Sequence, residues 1–128
     1  QLFKSGSSAA AYNTTVKGNS ASYTISGIAP GTYTMKVSKK NHVTREYSVT
    51  VSSGTKTQNA EIRLLGDVNG DGRVNTMDCT RLFKHVNKTQ LLTDAYAQKC
   101  ADTNGDGRVN TMDCTALFKH VNKTKPLW

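Results

Sequence analysis

The 128-residue chain has no apolar run approaching the roughly 20 residues that a membrane-spanning helix needs. Cysteine is scarce. Cys79, Cys100 and Cys114 are the only three, and none stands in a Cys-x-x-Cys pair or a Cys/His cluster, which argues against zinc. Their odd number, at positions where an apolar residue would serve, favours buried thiols and leaves a Cys79–Cys114 bridge open. Catalytic constellations are also missing. His42, His85 and His120 form no cluster, the carboxylates outside the repeat described below are Glu46, Glu61 and Asp94, and no Ser/His/Asp spacing or phosphate loop appears. The chain therefore reads as no enzyme, and any hydrolase of the parent protein would sit upstream of residue 1. The chain opens at Gln1 with no leader segment, so it reads as a mature or excised piece of something longer.

Acidic groups are few, 9 against 17 Lys and Arg, for a formal charge of +8. Residues 1–65 carry eight basic and two acidic groups (+6), and residues 66–128 carry nine and seven (+2). The basic residues of the first half are dispersed, with only Lys39-Lys40 adjacent, so a solvated surface suits them better than nucleic acid. An acidic protein surface remains a fitting partner.

Composition changes near residue 65. Residues 1–65 are rich in Thr, Ser, Val and Tyr in short alternating stretches, which predicts strands. Candidates are Ala11 to Lys17, Ala21 to Ile25, Thr32 to Val37, Glu46 to Val51 and Ala60 to Leu64, separated by turn signals such as Pro30-Gly31 and Ser52-Ser53-Gly54. Tyr33, Met35 and Val37 share one face, as do Tyr47, Val49 and Val51. Five or six antiparallel strands fit a small β-sandwich.

Residues 66–89 and 101–124 align without a gap at an offset of 35 and differ at three of 24 positions: Gly66/Ala101, Val68/Thr103 and Arg81/Ala116. This internal repeat is the strongest signal in the chain. Cys79, Leu82, Phe83 and Val86, and their copies Cys114, Leu117, Phe118 and Val121, follow i, i+3, i+4, i+7 spacing, so each copy ends in an amphipathic helix. Gln90 to Lys99 reads as a connecting helix.

Ahead of each helix stands a loop with calcium chemistry, which calls for about six to eight hard oxygen donors on a flexible segment. The first copy offers Asp67, Asn69, Asp71, the Arg73 carbonyl, Asn75 and Asp78 at loop positions 1, 3, 5, 7, 9 and 12, with Gly72 at the turn. The second offers Asp102, Asn104, Asp106, the Arg108 carbonyl, Asn110 and Asp113, with Gly107 at the turn. Asn75 and Asn110 would act directly or through a water. Asp stands at position 12 where the general loop has Glu, and it can still be bidentate if the following helix sits closer. Val74 and Val109 are expected to face inward and join the loops as a short β bridge. The bland reading, two metal-free Asp/Asn/Gly turns, leaves three carboxylates repelling one another in each twelve-residue loop. Two Ca2+ ions are the implied cofactors.

The D-x-N-x-D-G-x-x-N-x-x-D loop, helix, connecting helix and second unit resemble a cellulosomal dockerin across residues 66–124. The run Ile28 to Val37 resembles the prealbumin-like or carboxypeptidase-regulatory-like sandwich, and the order of the two regions resembles an X-module followed by a dockerin. The implied domains are an X-module-like β-sandwich at 1–65 and an all-α dockerin with two calcium loop-helix motifs at 66–128. That sandwich family has another strand before one starting at Leu2-Phe3, so either the strand lies outside this piece or the fold is a shorter variant. The resemblance implies a calcium-dependent module that binds a cohesin on a scaffoldin or cell-surface anchoring protein. It would bring its parent into an extracellular, bacterial, polysaccharide-degrading cellulosome, with the sandwich as support and the unbound chain a monomer. It further implies contacts late in the loop and on the helix: Thr76, Met77, Phe83, Lys84 and Lys88, then Thr111, Met112, Phe118, Lys119 and Lys123.

The residues agree in part. Met77 lies off the apolar stripe and suits an adaptable contact. Lys84 and Lys88, four apart, would share a helix face whose mutual repulsion an acidic partner relieves, with His85 and its copy His120 nearby. Phe83 falls on the stripe, where core packing outweighs contact. Arg81 against Ala116 is the one asymmetry of the expected contact face, and near-identity of the copies lets either meet the partner after a half-turn. Trp128, after Leu127, has enough apolar area to dock beside the start of the repeat or on the sandwich. Two other readings are a calcium sensor, which would need a groove opened by calcium, and a calcium-dependent structural or adhesion module.

Overall fold

The computed structural model describes residues 1–128 and divides them into two compact units, 1–38 with 44–61, and 39–43 with 62–128. The first unit is built on one antiparallel sheet of four strands in the order β2-β1-β3-β4: β1 (Leu2–Lys4), β2 (Ala10–Tyr12), β3 (Gly31–Val37) and β4 (Arg45–Val51). The two long strands lie where alternation placed them. Tyr33 stands opposite Val49 and Met35 opposite Tyr47. These inward residues bury with Leu2 and Val51 into one core. On the other face, Lys36 and Glu46 are directly paired and their side chains meet at 3.0 Å.

The remaining strand expectations are revised. Ala21 to Ile25 forms no ladder, yet Tyr23, Ile25 and Ile28 still pack on the core, and the Tyr23 hydroxyl hydrogen-bonds to the Gln58 carbonyl and the Met35 sulfur. Side-chain burial there satisfies the alternating pattern without a strand partner. The stretch from Ala60 to Leu64 is no strand either. Its N-terminal end hangs on Tyr47, whose hydroxyl accepts from the Glu61 amide at 2.8 Å, and Leu64 makes a single bridge to His42. The stretch expected from Ala11 to Lys17 contributes only the short strand β2.

The second unit carries α1 (Thr76–Val86), α2 (Ala95–Ala101) and α3 (Thr111–Val121). The connecting helix is shorter than expected and starts later, because Asp94 caps it by accepting from the Tyr96 amide at 3.0 Å. Leu82 and Leu117, the repeat-related centres of α1 and α3, are wholly buried, and Val68, Leu92, Ala97 and Ala101 complete the core. Full burial of each leucine is worth roughly 1.5–3 kcal/mol. Tyr96 ties the incoming backbone down: its hydroxyl accepts from the Arg63 amide at 2.9 Å and donates to the Val43 carbonyl at 2.6 Å. No β bridge joins the two calcium-type loops; Val74 and Val109 meet the core through half-buried side chains alone.

Candidate calcium loops and recognition face

Each loop is wound around its first and last carboxylates. Asp67 accepts from the Gly70 amide at 2.7 Å through Oδ1 and the Gly72 amide at 3.0 Å through Oδ2. Asn69 and Asp71 accept from the Asp71 and Arg73 amides, each at 2.9 Å. Asp78, from the first turn of α1, reaches back with Oδ1 to the Val68 and Asn69 amides and with Oδ2 to the Asn75 amide at 2.9 Å. In the second copy Asp102 accepts from the Gly105 and Gly107 amides, each at 2.9 Å. Asp113 there takes the Thr103, Asn104 and Asn110 amides. Thr103 adds a bond that Val68 cannot make, its hydroxyl donating to the Asp113 carbonyl at 3.1 Å.

The last carboxylate of the loop is also a helix cap. Asn75 and Asn110 are the N-caps, accepting from the Met77 and Met112 amides at 2.7 Å, and Asp78 and Asp113 complete the capping boxes. Asp suits position 12 here because the shorter side chain, at the third helical residue, still reaches the amide of the cap residue. The Asn75 and Asn110 side-chain oxygens are thus committed to the helices.

The donors fit a calcium ion. A carboxylate offers about four lone-pair sites; Asp67 spends two and Asp78 three on amides. Asp67 and Asp78 are 1% and 0% exposed, and every bond they accept comes from a neutral amide. Burial pushes the Asp78 carboxyl above its ordinary value, the Asp67 charge pushes the same way, and the three amide bonds oppose both. A hard cation would relieve that crowding. No three His, Cys, Asp or Glu side chains stand together as a preformed cluster; the remaining donors of such a loop are amide and peptide oxygens, here Asn69 and the Arg73 carbonyl.

The recognition candidates fall into two groups. Thr76, Met77, Phe83, Lys84, Lys88, Thr111, Met112, Phe118, Lys119 and Lys123 are exposed. Phe83 and Phe118, expected in the core, are 60% and 58% exposed, and Met77 and Met112 are 64% and 65% exposed. The small core is filled by the leucines, which leaves each phenylalanine on the flank of its stripe. The flanks of α1 and α3 form one open groove lined by Cys79, Thr80 and Phe83 and by the repeat-related Cys114, Thr115 and Phe118. No disulfide joins the three cysteines, of which Cys100 is buried and the other two half-buried. Burial raises the Cys79 and Cys114 thiols above their usual value, with the Asp78 and Asp113 charges adding to it.

Lys84 and Lys88 do not share a helix face. α1 ends at Val86, and Lys88 and Lys123 lie past the helix ends in the left-handed region, each at φ +58°. Arg81, His85 and His120 have structural partners. The Arg81 guanidinium donates to the Gln90 and Leu91 carbonyls at 2.7 and 2.9 Å. Nδ1 of His85 accepts from the Leu92 amide at 3.0 Å, and Nδ1 of His120 from the Leu127 amide at 3.1 Å. The repeat therefore runs on to Leu92 and Leu127, both packed in or on the core. The near-identical stretch ends at Thr89 and Thr124, and the leucines that extend it stand three residues further on at the same offset. Trp128 lies on the His120 ring, with ring centres 4.5 Å apart.

Residues 65–122 match the family model of the Dockerin type I domain, and residues 1–59 match that of Polysaccharide lyase family 4, domain II. A comparison with curated proteins finds no match. Neither matched domain is a catalytic one. The two matches agree with a sheet unit followed by three short helices with paired aspartate loops. The chain thus carries a type I dockerin, a calcium-dependent cohesin-binding module, behind a β module.

Proposed function

We propose that this chain anchors its parent protein into a cellulosome by docking a scaffoldin or cell-surface cohesin on the α1/α3 groove, with one calcium ion in each loop. In this reading residues 1–65 and 66–128 are separate modules. The first supports the second, the unbound chain is a monomer in the extracellular space, and any catalytic domain lies elsewhere in the parent. Asp67, Asn69, Asp71, the Arg73 carbonyl and Asp78 hold one ion, and Asp102, Asn104, Asp106, the Arg108 carbonyl and Asp113 the other. Asn75 and Asn110 reach the ions through water, since their oxygens already cap the helices. Calcium in this role is structural: it neutralises the buried aspartates and fixes the start of each helix, which sets the spacing of the exposed side chains.

The observation that carries the reading is the pair Phe83 and Phe118, more than half exposed on one groove between repeat-related helices. Large aromatics left in water at the centre of a symmetric face, with Met77 and Met112 exposed and Lys84 and Lys119 beside them, suit an apolar contact with an acidic rim. Because the copies match, either can face the partner after a half-turn. The test is capture of a cohesin panel with calcium and with a chelator. Capture that needs calcium, and is lost when Met77/Lys84 and Met112/Lys119 are all replaced, supports the reading. Abolition by changing one copy alone would sink two-way docking.

A further inference from the structure

Over residues 66–92 and 101–127 the two copies differ at five positions, and three of them, Arg81/Ala116, Gln90/Lys125 and Leu91/Pro126, change the surface. In the first copy Arg81 lies against the segment after α1, holding the Gln90 and Leu91 carbonyls. Thirty-five residues later the side chain at Ala116 ends at a methyl, and the matching carbonyls belong to Lys125 and Pro126. An open cavity of about 490 Å³ lies there, between α3 and the C-terminal segment, with Asn104, Met112, Ala116, Lys119, Lys125 and Pro126 in its wall. The Lys125 amide donates to the Lys119 carbonyl at 3.2 Å, which keeps the backbones of the two lysines together. None of the residues in the wall is acidic.

We propose that this cavity is a subsite for a glutamate side chain of the docking partner. The methylenes would lie on Met112 and Pro126, and the carboxylate between the Lys119 and Lys125 ammonium groups. Charge complementarity selects this occupant: two lysines rim an apolar floor in a chain of net charge +8. An arginine entering the same place would meet both ammonium groups. Arg81 stands in the corresponding place of the first copy, where Gln90 replaces Lys125. The partner therefore reads the copies unequally and prefers the second. The identity of the partner as a cohesin rests on the functional reading above, whereas the subsite does not.

The test titrates the full calcium-loaded chain with N-acetylglutamate amide, using its glutamine analogue as control and methyl NMR signals as readout. Saturable shifts at Met112 and Leu127 are expected with glutamate and not with glutamine, without counterparts at Met77 and Leu92. Ala116→Arg, which fills the cavity as Arg81 does in the first copy, should abolish them. Lys125→Gln, outside every helix, should weaken them. No shifts, equal shifts from the two analogues, or shifts that survive Ala116→Arg would overturn the proposal. In a second arm, a cohesin captured from the panel should bind Ala116→Arg and Lys125→Gln about tenfold more weakly, and undiminished affinity in both variants counts against the subsite. If the panel yields no binder, the cohesin reading fails while the glutamate titration still decides the subsite.

Discussion

Lys88 and Lys123 occupy a backbone region that costs an ordinary residue roughly 1 kcal/mol and glycine almost nothing. Lys88→Gly and Lys123→Gly should each therefore stabilise the calcium-loaded chain by about 0.5–1 kcal/mol in thermal or urea unfolding. Gly66 is the opposite case. At φ +93°, an added Cβ would meet Leu117 Cδ1 at 2.9 Å and Val74 and Leu127 at 3.2 Å. Gly66→Ala should cost about 1–3 kcal/mol, although its repeat counterpart is Ala101, and unchanged stability would contradict the packing described. The ligand-type residues were legible at this scale because calcium loops fix both residue type and spacing. The exposure of Phe83 and Phe118 was not. Helical periodicity marks a stripe, but the size of the core decides how much of that stripe is covered, and here two leucines suffice.

At the scale of the element, the loop and its helix are one unit because Asp78 serves both. Asp78→Ala would orphan the Val68, Asn69 and Asn75 amides and remove the capping box. The expected cost is about 2–4 kcal/mol together with loss of calcium affinity in the first loop, read by unfolding and calcium titration. Acidity should act oppositely on the two metal states. The Asp78 carboxyl of the metal-free fold is raised above its ordinary 3.8, so that fold binds the proton more tightly than the unfolded chain does. Its contribution to stability is present below about that value and is lost as pH rises through the raised one. Metal-free protein should therefore lose stability as pH climbs from 4 toward neutrality, in the absence of other titrations. The calcium-loaded protein should gain stability over the same climb, because protons compete with the ion. Parallel melting curves with calcium and with chelator check both signs.

Elements were unevenly legible. Alternation located β3 and β4 to within one residue because their inward faces are buried and their outward faces wet. It overcalled Ala21 to Ile25, where an alternating pattern is met by Tyr23 and Ile25 lying on the core without a ladder. Asp94, directly before Ala95-Tyr96-Ala97, is an ordinary N-cap signal for the start of α2, whereas the hold that Arg81 and His85 take on the preceding stretch has no signal in the residues of Gln90 to Lys99.

On the scale of the whole molecule, the repeat orders the dockerin more completely than its identical residues suggest. Leu82 with Leu117, Leu92 with Leu127 and His85 with His120 take matching places, and the C-terminal segment finishes the second copy as residues 90–92 finish the first. Such a small core holds only a few large side chains, so on the proposed reading calcium would contribute a large share of the fold's stability. The loops hold the helices, and the helices present the aromatic groove.

Calorimetric titration of a cohesin from the panel tests this most directly, using calcium-loaded chain, chelated chain and the calcium-loaded Phe83→Ala/Phe118→Ala variant. One-to-one binding to the first and none to the second are expected. The third should keep its fold, because both rings are exposed, yet bind at least about tenfold more weakly. Full affinity in chelator, or full affinity without either phenylalanine, would contradict it.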